Sequence, residues 1–425
     1  MRRRLPRSWG GYLIITALSA LQGAQLSLVA PYLHSLDYPP AAIGALVAVS
    51  TVVSLLTRMP AGLVYRGDNA RLLLAASLAI LTLALAAHPL AVAPLAVFAV
   101  RALTGLAYGV ATTVNFARFV DEQPPGPVRA RAMGYYSTGI AVGYSLASFV
   151  VGFVVEGGGF GWAFLTGAGL VLTGLLGLLD RTPLAGPEPP LIGTSDRASP
   201  GDRRGPGGTT SSAATAGPPA AGRGTLGLLL VSPALLVLVL ESFVLNAHWA
   251  FWNAWLPLYA LAFGIGLADV GLTRTVFGVL NAISRPLGGG IVAQLGAQRL
   301  ATAGLVVQCV LLMLLPAFPG LGVLLAVFAG IGVLRAVGIV ANTVGVVDCS
   351  DALGLGRGRM AALFNTSSDL GILAGPAVGG LVAQVVGPVQ VFVVVPLGML
   401  LGYLAALAAS HLAARRPRTD PAARV

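Results

Sequence analysis

The sequence predicts an all-α polytopic membrane protein whose twelve transmembrane helices form two pseudo-symmetric six-helix bundles. Three observations predict it. The 425-residue chain is 56% hydrophobic and 10% charged, with a mean hydropathy of +0.84, whereas soluble proteins carry about 25% charged residues. Its apolar residues fall in long runs that, at roughly 20 residues per crossing, supply about twelve spans and leave little for an extramembrane core. The second half of the chain also repeats the first at an offset of about 227 residues. This composition excludes a secreted, nuclear or cytosolic enzyme.

The first span, at about 10–35, follows MRRRLPR. That start is basic like a signal peptide, but the apolar run is longer than the 7–15 residues of a signal core, so the helix is expected to be retained. Runs at about 41–65, 71–88, 90–117, 132–155 and 160–179 complete the first six. The second six lie at about 228–262, 267–292, 299–317, 319–347, 360–386 and 388–413. Between the sets, the Pro-, Gly-, Ser- and Thr-rich stretch containing GPEPP and RRGPGGTTSS cannot bury enough apolar surface to offset the entropy of ordering it. The expected organisation is a six-helix half at 1–180, a flexible cytoplasmic linker at 181–224 and a second half at 225–425.

All 26 basic residues are Arg, and the net charge is +11. Placing the N-terminus in the cytoplasm puts 21 of them in the termini, the linker and the inside loops and none in the outside loops; the other five lie within or at the ends of spans. This is the positive-inside pattern, so the charge requires no nucleic acid. It predicts a plasma-membrane protein with both termini cytoplasmic. Cys309, Cys349 and the four scattered histidines offer neither a disulfide framework nor metal-ligand spacing, and no cofactor is expected.

The repeat is carried by polar residues, which apolar sequences do not align by accident. Pro31 falls on Pro257, Arg58 on Arg285, Gly105 on Gly332, Asn115 on Asn342 and Asp121 on Asp348; Arg131 and Gly152 fall on Arg359 and Gly380. Six spans per half is an even number, so both halves insert in the same sense. Parallel repeats of this kind build secondary transporters with a substrate site at the repeat interface near the midplane.

These residues resemble the major facilitator superfamily over both halves. Arg58, Pro60 and Gly62 in RMPAGLVYRGDNAR match its R-x-P-x-G loop motif, as do Arg285 and Gly289 in the second half, although Arg66 and Ala293 stand where the family's aspartate is usual. Arg101, Thr104 and Gly105 in RALTG resemble R-x-x-Q-G, a motif associated with proton coupling. GILAGPAVGG, from Gly371 to Gly380, resembles a motif of proton-driven drug antiporters, but on the eleventh span rather than the fifth. The resemblance implies alternating access and a cavity lined by the first, fourth, seventh and tenth spans.

Charges inside hydrocarbon are costly, so each is a candidate site. Arg101, Glu241, Arg335 and Asp369 are expected to converge at one depth, with Glu241, Asp369 and Arg101 serving proton coupling. Tyr108 and Asn115 share a helix face with Arg101; Asn246, Trp252, Gln22 and Gln25 complete the substrate-binding set. Opposite charges duplicated in register predict cytoplasmic gate pairs, Arg58 with Asp121 and Arg285 with Asp348. The expected function is secondary transport of a small organic solute, proton-coupled and drug-like in efflux. The alternative is uptake or uniport of an organic anion, since three in-span arginines outnumber two acids. A membrane-embedded enzyme would require a nucleophile or metal constellation, and only isolated acids and histidines are present. Expected partners are the substrate, protons and the bilayer, with the chain a monomer.

Overall fold

The computed structural model describes residues 9–122, 127–180, 233–353 and 357–415; the expected linker at 181–224 lies outside them. The helices are α1 (Trp9–Ser35), α2 (Pro40–Val64), α3 (Ala70–Ala87) and α4 (Pro94–Glu122). A long helix, Pro127–Leu172, breaks at Gly159 into arms α5 and α6. Then come α7 (Pro233–Ala262), α8 (Leu267–Leu295), α9 (Ala297–Leu314) and α10 (Leu321–Ala352), and the helix Arg357–Arg415, which breaks at Gly387 into α11 and α12. Helices suit these runs because lipid offers no partner to a backbone N–H, so each must be satisfied within its own segment.

The two breaks divide ten continuous helical segments into twelve arms among the described residues. Gly159 (φ 79°, ψ 177°) and Gly387 (φ 83°, ψ 168°) adopt a backbone that side-chain-bearing residues avoid. Beyond each, the chain reverses. Along α1, Gly143 lies against Thr16 and Tyr144 against Gly23, whereas Gly167 lies against Ala24 and Gly174 against Ala17. Hence α5 runs parallel to α1 and α6 antiparallel. Likewise α11 follows α7 from Phe243 to Trp255, while α12 returns from Phe392 beside Tyr259 to Tyr403, bonded to Gln298 near Glu241. Among the described residues nine stretches are long and apolar enough to cross a membrane, and the two broken ones, of 42 and 48 residues, have length for two crossings each. Charge-bearing α8 is outside those nine but packs between α5 and α10 as a full-length span.

The repeat is visible in hydrogen bonds. Tyr32 Oη donates to the Pro89 carbonyl at 2.9 Å, and Tyr259 Oη, 227 residues on, donates to the Leu315 carbonyl at 2.6 Å. Asn115 Nδ2 donates to the Gly11 carbonyl, and Asn342 Nδ2 to the Leu238 carbonyl, both at 3.3 Å. Each pair fastens the same two helices of its half. Asn115, expected in the substrate site, is therefore a brace buried inside the first bundle.

The halves meet through α2 against α11 and α5 against α8, with α1 crossing α7 between them. Call the surface reached by Trp9, Asp180, Pro233 and Arg415 the linker face. Toward the opposite, far face the contact is closest: a Cβ on Gly44 would stand 2.5 Å from the Pro376 carbonyl oxygen and 2.9 Å from Gly380 Cα. Ala41 N donates to Gln384 Oε1 there, and Glu156 of α5 accepts from Ala268 N at the first turn of α8.

Candidate functional site

A cavity lies between the halves, below that far-face seal. It has two contiguous chambers, of about 80 Å³ and about 190 Å³. They share walls formed by Gln22 and Gln25 of α1, Ser50 and Thr51 of α2, Trp249 of α7 and Ile372 of α11. The smaller chamber adds Arg101 and Pro376; the larger adds Tyr108, Arg58 and Asp369.

Arg101 is held rigidly. Its Nε donates to the Leu46 carbonyl (3.2 Å), its Nη2 to the Val47 carbonyl (2.7 Å) and to Ser50 Oγ (2.5 Å), and its Nη1 to Gln25 Oε1 (2.7 Å). Four of five N–H groups are thereby used, on carbonyl and hydroxyl dipoles and a neutral amide. No carboxylate of the described residues lies within 4 Å.

Two ion pairs are present among the described residues. One, Arg118 with Glu122, lies inside the first half along α4. The other crosses the halves: Arg58 Nη1 of α2 contacts Asp369 Oδ1 at 3.0 Å and Oδ2 at 2.9 Å on α11. This corrects the expected gate. Arg58 does not pair with Asp121, which accepts instead from Tyr65 Oη at 2.7 Å. The reason is rotational: Arg58 sits on the face of α2 turned toward α11, whereas Asp121 at the end of α4 is met by Tyr65, just past the last turn of α2. Burial, then the bond to Asp121, raises the Tyr65 phenol well above its ordinary value, so it stays a donor. The twin is also unformed; Arg285 Nε donates to Asn281 Oδ1 at 3.2 Å rather than pairing with Asp348. At the repeat offset of 228 shown by Arg131 and Arg359, Ala141 stands where Asp369 would have its equivalent. Among the described residues the cross-half pair is thus single.

Nor do the four in-span charges converge. Asp369 and Arg101 line the cavity. Arg335 stands behind its wall, donating to the Leu245 carbonyl (2.5 Å) and Asn246 Oδ1 (3.2 Å), with its guanidinium 5.5 Å from the Trp249 ring centroid. Glu241 faces away, fully buried within the second half, where Oε2 accepts from Gln298 Nε2 at 3.5 Å. The helical stripe Glu241, His248, Trp252, Trp255, Tyr259 is real, but it is 0–1% exposed and points into its own bundle. Trp252 packs edge-on against Phe277 and Phe328 at 4.9 and 4.7 Å and does not line the cavity. The adjacent strip carrying Asn246, Trp249 and Asn253 is the one that turns toward the other half.

Sequence reasoning missed Ser50 and Thr51, although hydroxyls at 50, 51 and 54 share a face with Arg58. It also left Arg274 out of the candidate residues. Arg274 is fully buried between the halves, bonded to Ser27 Oγ, to the Leu26 carbonyl (3.0 Å) and to the Asn253 carbonyl (2.5 Å). Tyr144 of α5 also donates to Asn253 across the same interface.

A family model described as the Major Facilitator Superfamily matches residues 12–351. No curated protein matches the sequence. Among solved structures, the nucleoside transporter NupG superposes with a TM-score of 0.70 at 15% identity, covering 95% of this chain and 99% of that one. A bacterial homologue of the human lysosomal transporter Spinster, inward-facing and unoccupied, superposes with a TM-score of 0.70 at 15% identity, covering 97% and 98%. Its occupied form gives 0.67 at the same identity and coverage. At such identities the likeness is one of fold.

Proposed function

Because the chain belongs to the Major Facilitator Superfamily, we propose that it moves a small organic solute across the membrane by alternating access, with the interface cavity as its binding site. The observation carrying this reading is a polar, partly charged cavity walled by both halves and capped by their close contact at the far face. Rocking the halves about α1 and α7 would open that seal and close the linker side around the same residues. Chambers of about 80 and 190 Å³, against the roughly 300–1,000 Å³ of drug-sized sites, favour a small solute over a drug-like one in this conformation. The arginine bias supports a linker face in the cytoplasm, a plasma-membrane location and an inward-facing state.

We further propose proton coupling through Asp369. Neutralising its carboxyl frees Arg58 and removes the one ion pair that, among the described residues, ties the halves below the cavity, so a proton taken up there biases the rocking equilibrium. The test is flux of a solute panel in proteoliposomes under an imposed pH gradient with internal pH recorded. Solute movement with stoichiometric pH change, lost in Asp369→Asn, supports coupling. Gradient-independent flux in the wild type refutes coupling while leaving transport intact.

A further inference from the structure

The cluster Gln25, Ser50 and Arg101 has a counterpart that shows the fold does not require it. The offset of 227 places these three residues on Trp252, Phe277 and Phe328. The counterparts form the aromatic cluster in which Trp252 touches both phenylalanines, just as Arg101 touches both Gln25 and Ser50. One architecture thus fills the same place between its first, second and fourth helices in two ways: with rings where the site is sealed inside the second half, and with a guanidinium, an amide and a hydroxyl where it borders the cavity.

A buried guanidinium without a counter-ion is costly, and carbonyl dipoles offset that cost only in part. Arg101 is 3% exposed and has no carboxylate of the described residues within 4 Å, while the other cavity charges, Arg58 and Asp369, neutralise one another. The cavity therefore carries one uncompensated positive charge. Two donors beside it are also unused: the second N–H of Arg101 Nη1, and Gln25 Nε2, which is buried without a partner. Unpaired donors on and beside a fixed cation are what a carboxylate or similar oxyanion needs. Half-buried Trp249 of the second half lines both chambers and gives the cavity an aromatic wall.

We infer that the transported solute is a small organic anion, its anionic group bound by Arg101 and Gln25 and its planar apolar part against Trp249. This rests on the transporter reading and narrows it to a substrate class. The recognition step forms hydrogen bonds and an ion pair only; no covalent bond changes.

The experiment uses the purified full chain and three probes of matched shape, benzoate, benzamide and benzylamine, with binding read by tryptophan fluorescence and by thermal shift. Benzoate should bind best, and the aromatic carboxylates phenylacetate and nicotinate should compete with it. Gln25→Glu places a carboxylate beside Arg101, so it should keep or raise thermal stability while weakening benzoate about tenfold or more. The triple graft Gln25→Trp, Ser50→Phe, Arg101→Phe copies the second half's cluster; it should remain folded and lose the anion preference. Arg101→Lys should bind benzoate less tightly with the preference retained, since lysine keeps the charge but loses the planar fork. Equal or better binding of benzamide or benzylamine, undiminished benzoate binding in Gln25→Glu, or no binding by any carboxylate overturns the inference. Counterflow of a neutral or cationic solute in proteoliposomes would then show that transport stands and only the class is wrong. Absence of flux for every solute would count against the transporter reading itself.

Discussion

Breaking the Arg58–Asp369 pair should let the linker-face ends of α2 and α11 separate. The strength of the tie can be bounded from the structure. Unit charges about 4 Å apart attract by about 4 kcal/mol at an effective dielectric of about 20, yet exposed pairs measure only about 0.2–1 kcal/mol. Here Arg58 is 42% and Asp369 17% exposed, and both contacts come from Nη1 rather than from a two-nitrogen fork. A coupling of about 1–2 kcal/mol follows, which shifts a two-state equilibrium about five- to thirtyfold. Spin labels on the exposed positions Leu63 of α2 and Asn365 of α11, in a background lacking Cys309 and Cys349, would report the separation by pulsed dipolar distances. Arg58→Ala and Asp369→Ala should each broaden and lengthen the distribution, and the exchange Arg58→Asp with Asp369→Arg should restore it. Fourteen residues of α2 separate Gly44 from Arg58, about 21 Å of helix, so opening there can occur without disturbing the far-face seal. A double-mutant cycle with coupling below about 0.3 kcal/mol, or an unchanged distance distribution in both single variants, would refute the reasoning.

Three further outcomes are expected. Gly44→Val should prop the halves apart at the far face, because its Cβ alone would meet the Pro376 carbonyl and Gly380 backbone; disulfide trapping between cysteines at 41 and 384 should fall sharply while expression persists. Glu241→Gln should hold or raise the melting temperature at neutral pH, since the carboxyl is fully buried with no cation of the described residues within 4 Å and one oxygen unpartnered; a clear drop would show that its charge is structurally used. Arg274→Ala should destabilise by about 3 kcal/mol by stripping three hydrogen bonds from a buried junction of α1, α7 and α8, measured as loss of the monodisperse peak on heating; a change under about 1 kcal/mol would contradict this.

Long apolar runs, the arginine distribution and the register of Arg, Asn, Pro and Gly were enough to read the class of fold, the paired halves and the family resemblance from the chain alone. These features follow from chemistry local to each segment: lipid compels helix, and a duplicated gene keeps the residues that fasten one helix to the next, as Asn115 and Asn342 do. Helical periodicity also revealed that α7 has a polar and aromatic stripe. It could not say that this stripe points into its own bundle, because α7 is apolar enough on every side to be buried all round, and only its neighbours decide which side meets the cavity.

Charge pairing was decided by tertiary structure for the same reason. In sequence, Arg58 and Asp121 recur in register with Arg285 and Asp348, which suggests partners within a half. In space, the rotation of α2 turns Arg58 across the interface to Asp369, 311 residues away, where the repeat supplies no twin. Arg101 was legible as a buried charge, but its lack of an acid and its bonds to Gln25 and Ser50 emerge only when α1, α2 and α4 are packed together. The sequence determines which residues must leave lipid; the crossing of helices from two halves determines which of them face one another and which are left to face a solute.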